Sequence, residues 1–218
     1  MTITYLYHSG FAIENNDVLL IIDFWQDPEN CIPQLMKHNG PIYVLATHFH
    51  PDHFNREIFK WKEVRPDIHY ILSKDILRHH RAAKEEAQYL VKGDIFEDNN
   101  IHIQAFGSTD SGVSFYVKLV GHTIFHAGDL NNWHWQEESS EAESLQYEKM
   151  YLGELKDITK VFTDVDIAFF PIDARLGKEY MRGAKQFLER IKVKHFFPMH
   201  FTANPIEKAA AFLVEVEL

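Results

Sequence analysis

The stretch "ATHFHPDHFN", residues 46–55, places three histidines and an aspartate (His48, His50, Asp52 and His53) within six consecutive positions. It follows "IYVLA", an apolar, β-branched run that reads as a buried strand, and precedes "FNREIFKW", where Phe54, Ile58 and Trp61 recur at helical spacing. The cluster therefore sits where a strand gives way to a helix. In an extended strand end, residues two apart point the same way, so His48 and His50 converge on one point. The chain turns at Pro51 and brings Asp52 and His53 to a second point nearby. Imidazole with carboxylate suits a first-row divalent metal such as zinc, manganese or iron. Two offset pairs suit two ions about 3.5–4 Å apart.

Composition bounds what such a site can serve. The chain has 218 residues, 45% hydrophobic and 25% charged, with no linker-like or repetitive stretch, so one domain over 1–218 is expected. Cys31 is the only cysteine, which leaves nitrogen and oxygen ligands for any metal; 14 histidines and 32 acidic residues supply them. A formal net charge of −10 argues against nucleic acid as partner; the expected partner is a small-molecule substrate. The N-terminal segment lacks a basic and then apolar leader, and "VLLII" is the longest apolar run, so no membrane partner and a cytoplasmic location are expected. Oligomeric state is not legible.

β-type runs alternate with helical ones along the whole length. "TITYLYH", "VLLIIDF", "IYVLATH", "IHYILS", "IHIQAF", "VSFYVKLV", "HTIFHAG", "VDIAFFPID" and "KHFFPMH" read as strands. Helices are expected over 75–90, over 137–160 with a solvated, charged face, over "KEYMRGAKQFLERI", and over the closing "PIEKAAAFLVEV". Strands interleaved with helices point to an α/β layered sandwich.

"HFHPDH" resembles the His-x-His-x-Asp-His signature of the metallo-β-lactamase superfamily of metal-dependent hydrolases. Further elements follow in that family's order: "LLIIDFW" with Asp23 behind the cluster, "FHAGDLNN" with a bridging aspartate at Asp129, and "FFPMHF" with a late histidine at His200. The resemblance implies a four-layer αβ/βα sandwich and two divalent ions, zinc foremost, with manganese or iron as alternatives. It implies His48, His50 and Asp110 on one ion, Asp52, His53 and His200 on the other, and Asp129 between them. A water or hydroxide held there would be the nucleophile, with Asp52, His53 and Asp129 at the catalytic centre. Asp110 enters because the family places a histidine in this region and "AFGSTDSGVSF" has none. His102 is the nearby alternative, and a harder oxygen ligand shifts preference toward manganese or iron.

"YLYHSGFAIENNDVLLIID" and "FFPIDARLG" resemble the small lactonase-like and phospholipase D-like branch of that superfamily. That places His8 and Asp173 beside the site as ligand-orienting or substrate contacts, with a purely structural role open for each. Asp23 is expected to accept a hydrogen bond from a ligand histidine. Asn131, Trp133, His134 and Trp135 are candidates for pocket walls, and His126 is expected to be structural. The implied activity is hydrolysis of a small ester, lactone or phosphoester. A non-catalytic metal-binding regulator and a mononuclear-iron redox enzyme are the alternatives.

Overall fold

In a computed structural model, which describes residues 1–15 and 17–201, twelve strands form two six-stranded sheets. The first runs β1 (Thr2–Tyr7), β2 (Gly10–Glu14), β3 (Leu19–Ile22), β4 (Ile42–Ala46), β5 (His69–Ser73) and β6 (Gln88–Leu90), in that spatial order. The second comprises β7 (Ile95–Glu97), β8 (Ile101–Phe106), β9 (Ser114–Leu119), β10 (His122–His126), β11 (Asp164–Pro171) and β12 (Lys192–Met199), again with neighbours in chain order. Hairpins make β1–β2–β3 and β7–β8–β9–β10 antiparallel, while β3–β6 and β10–β12 are parallel.

Period-two alternation decides how the sheets stack. Leu20 and Ile22 of β3, and Tyr43 and Leu45 of β4, join one apolar cluster with Ile103, Phe115 and Val117 of the second sheet. Their neighbours Leu19, Ile21, Ile42 and Val44 point the other way, into a cluster with Phe54, Ile58, Trp61 and Ile76. Both faces of the parallel strands are thus covered, which is why β3 and β4 are continuous apolar runs. The outer cover of the first sheet comprises α1 (Ile32–Leu35), the 3-10 helix Arg56–Glu63 and α2 (Lys74–Arg78). The second sheet is covered by α3 (Glu141–Ile158) and α4 (Arg182–Leu188), whose Tyr151, Leu155 and Phe187 pack with Phe125 and Phe170. The layer order is helix, sheet, sheet, helix, as expected.

The nine expected strands are present, and three short ones, β2, β6 and β7, were not separated in the sequence. The helix expected over 75–90 shrinks to α2, because after Ile76 the run Arg78–Arg81 offers no apolar stripe and His80 turns to φ 55°. The helix expected from Lys178 begins only at Arg182; Gly177, at φ 77°, interrupts the preceding 3-10 turn. The helix over 137–160 is observed as α3, opened by a capping box between Ser140 and Glu143. Its seam of Tyr151, Leu155 and Ile158 is buried against the sheet, and the charged face expected of it is exposed. The closing helix expected over "PIEKAAAFLVEV" lies outside the described residues.

Candidate metal centre

Strand ends, with the loops after β4 and β8, deliver the cluster to one rim of the sandwich. β1 is followed by His8, β3 by Asp23, β4 by Thr47 and His48, β10 by the Gly128–Asp129 turn, β11 after one residue by Asp173 and β12 by His200. Three of these, His8 (φ 57°), Asp23 (φ 51°) and His200 (φ 66°), hold a left-handed backbone that costs a non-glycine residue about 1–3 kcal/mol. Two glycines let the remaining chain close in. At Gly112 (φ 68°) a Cβ would collide with the Thr47 carbonyl, and at Gly128 (φ 54°) one would meet Thr47 Cβ at 2.8 Å. The first brings the Asp110 loop against His48; the second seats Asp129 over β4.

Asp23 organises the interior. Its carboxylate accepts from the Thr47 N–H (2.7 Å), the Thr47 hydroxyl (2.7 Å) and His53 Nδ1 (2.8 Å). Burial alone would raise its pKa, but His126 and His53 outweigh burial and hold it below the usual carboxylate range. The Thr47 hydroxyl, having given its proton to Asp23, accepts from His48 Nδ1 at 3.0 Å. His200 Nδ1 donates to Asp173 Oδ2 at 3.0 Å. Each of these histidines therefore has its Nδ1 tied back and its Nε2 aimed inward, the orientation a metal ligand needs.

The inward atoms fall into two groups around Asp129. His48, His50, Asp110 and Asp129 offer donor atoms within 4.8 Å of one another, and so do His8, Asp52, His53 and His200. Asp129 Oδ2 lies 3.4 Å from His48 Nε2, while its Oδ1 lies 3.1 Å from His53 Nε2 and 3.4 Å from His200 Nε2. His50 Nδ1 and Asp110 Oδ2 are 3.5 Å apart. Two donors each about 2.1 Å from one tetrahedral ion stand about 3.4 Å apart, so the 3.4 and 3.5 Å separations suit ligands sharing a cation better than paired hydrogen bonds. His48 Nε2, His53 Nε2 and Asp129 Oδ1 are buried and have no hydrogen-bond partner among the described residues. A divalent cation fits that donor set.

The electrostatics agree with it. Burial opposes ionisation of Asp129, yet His53, His200 and His48 hold its carboxyl well below the ordinary range. Burial would lower His53, but Asp129 and Asp23 hold it well above the usual imidazole value. Asp52 is likewise held low, with His8 and His53 outweighing its burial. His8 itself is pushed down by burial, against the pull of Asp52.

A cavity of about 310 Å³ opens over the cluster, lined by His50, Asp52, Thr109, Asp110, Asp129, Trp133, Trp135, Tyr147, Arg175 and His200. Trp133 and Trp135 stack at 6.1 Å to form one wall, and Trp133 Nε1 donates to the Asp129 carbonyl at 2.8 Å. Asn131 and His134 do not line it. Asn131 is buried against Gly183 and accepts from the Asn132 N–H, and His134 spends both nitrogens on the backbone of Glu179 and Gln136. His126 bonds to the Ser9 carbonyl and the Gly128 N–H and belongs to neither donor group. His102 lies 3.5 Å from Glu97 on the rim of β8 and also stands outside both. Asp173 does two things, holding His200 and bonding the Arg175 guanidinium through Nε and Nη2. Thr47 and Arg175 were not singled out in the sequence. Thr47 has no distinguishing sequence signal, while Arg175 stands two residues after Asp173 as the one cation in "FFPIDARLG".

The profile of the beta-lactamase superfamily domain matches residues 2–200. A metal-dependent hydrolase of Desulforamulus reducens is 25% identical over 241 residues, covering 100% of this chain and 92% of its own length. One of Pyrococcus furiosus is 23% identical, covering 93% and 85%. Among solved structures, Igni18, a novel metallo hydrolase from Ignicoccus hospitalis, superposes with a TM-score of 0.64 at 18% identity, covering 98% of this chain and 90% of that one. The metallo-beta-lactamase fold protein YhfI of Bacillus subtilis gives 0.59 at 10% identity, covering 97% and 86%. With the fold and the profile in agreement, the chain belongs to the beta-lactamase superfamily, grouped by sequence with its metal-dependent hydrolases.

Proposed function

We propose that this protein is a metal-dependent hydrolase with a dinuclear centre that cleaves a small ester, lactone or phosphoester. His48, His50 and Asp110 would hold one divalent ion and Asp52, His53 and His200 the other, with Asp129 shared. The observation that carries this reading is the orientation of Asp129, one carboxylate oxygen facing each histidine group. When bound, such ions supply Lewis acidity and bring the pKa of a coordinated water toward neutrality. Asp23 and Asp173 fix the rings of His53 and His200 so that no reorientation is needed as a substrate arrives. The Trp133–Trp135 wall restricts water and offers an apolar face, and Arg175 offers donors to an anionic group.

Elemental analysis of protein purified without chelators tests this, with wild type beside Asp110→Ala and Asp129→Ala. Two ions in wild type, one in Asp110→Ala and few in Asp129→Ala are expected. Hydrolysis of an aryl phosphodiester should fall to background in Asp129→Ala. The side chains of His50 and Asp110 are 35% and 46% exposed, which favours a single-ion enzyme as the second reading. One ion in wild type, unmoved by Asp110→Ala, would select it.

A further inference from the structure

Three buried histidines outside the expected ligand set can be compared directly. His126 and His134 each pair both ring nitrogens, as histidines serving the fold should. His8 is 3% exposed, yet neither of its nitrogens has a hydrogen-bond partner among the described residues. Its backbone, by contrast, is firmly held: the N–H donates to the Tyr5 hydroxyl at 2.8 Å and the carbonyl accepts from the His200 N–H at 3.2 Å. That clamp fixes the end of β1 to the end of β12 and maintains the left-handed turn at φ 57°. Two unpaired nitrogens are a poor way to fill space, since an apolar ring of similar size would not carry that cost. The ring instead lies 4.3 Å from that of His200 and 5.5 Å from that of His53, centre to centre. His8 Nε2 stands 3.4 Å from Asp52 Oδ2, a separation like those across the Asp129 groups.

We propose that His8 is a further ligand of the second metal position, which therefore binds its ion more tightly than the first. This rests on the dinuclear reading above. The second position then draws on His8, Asp52, His53, His200 and Asp129, a five-donor set. The first draws on His48, His50, Asp110 and Asp129, where His50 is 35% and Asp110 46% exposed, whereas in the second set only Asp52 reaches solvent, at 35%. More donors and deeper burial both favour retention of the second ion.

The test is titration of metal-free protein with Zn²⁺ and Co²⁺, followed by calorimetry and by the visible Co²⁺ band, in wild type, His8→Ala and His8→Gln. Wild type should take up two ions at distinct affinities. Both variants should lose about 10- to 100-fold at the tighter position, on the scale of other disturbed metal sites, and keep the weaker one. The Co²⁺ band of the tighter position should change, and the metal-free variants should melt no lower than metal-free wild type. Two ions bound with unchanged affinities and spectrum in the variants would overturn the role of His8 while leaving the dinuclear centre intact. So would metal-free variants that melt lower with both affinities preserved, which would make His8 a packing residue. Fewer than two ions in saturated wild type would overturn the dinuclear reading, and this inference with it.

Discussion

Asp23 Oδ2 lies 2.8 Å from His53 Nδ1, with both side chains fully buried, and this contact leaves His53 Nε2 no direction but inward toward Asp129. The same carboxylate holds Thr47, and through its hydroxyl His48, so one aspartate orients a histidine in each donor group.

Asp23→Asn should therefore disturb both groups at once. The amide keeps the volume but cannot accept three donors, and metal affinity should fall about 10- to 100-fold. Equilibrium dialysis against a graded chelator measures this. Loss confined to one ion would contradict the double role.

Metal uptake should release protons. His53 is held well above the usual imidazole pKa by Asp129 and Asp23, so in metal-free protein it carries a proton that an ion must displace. Adding Zn²⁺ in weak buffer should release protons, and affinity should rise with pH. The stability signs follow from the same shifts. The raised His53 stabilises metal-free protein fully below its ordinary pKa of about 6.5, and that contribution is lost as pH rises through the raised value. The lowered Asp129 contributes above its ordinary range, and its contribution is lost as pH falls through the lowered value. Thermal melts of metal-free protein across pH check both limbs.

Arg175 is the one permanent cation among the described residues that line the cavity, and its fork is held by Asp173. Arg175→Ala should raise KM for an aryl phosphodiester about tenfold, the loss of one charge-assisted contact. For a neutral aryl ester KM should move far less, with metal content unchanged. Equal losses on both substrates, together with metal loss, would make Arg175 a support for Asp173 instead.

Gly112→Ala should destabilise the fold by more than about 2 kcal/mol, since the left-handed backbone alone costs about 1–2 kcal/mol and the new Cβ strikes the Thr47 carbonyl. The loop that carries Asp110 would be displaced with it. Denaturant unfolding and metal content should therefore fall together.

Local patterns carried what was legible in advance. Nine strands could be read because short runs of apolar and β-branched side chains are a property of neighbouring residues. The end of the helix expected over 75–90 could not, because Gln88–Leu90 pairs as the edge strand β6 on β5, a contact outside the segment itself. Asn131 and His134 look like pocket residues beside Trp133, but packing under Gly183 and bonds to Glu179 and Gln136 turn them inward.

The sequence by itself determined where histidine and aspartate crowd together, because six consecutive residues at a strand end cannot lie far apart in any fold. It also determined the layered class, through the spacing of apolar side chains. Only the tertiary structure decided which atoms face one another. Asp23 meets Thr47 and His53 across 24 and 30 positions, Asp173 meets His200 across 27, and His8 reaches Asp52 from another strand. Those meetings depend on six strand ends arriving at one rim, and the stacking of two sheets sets that rim.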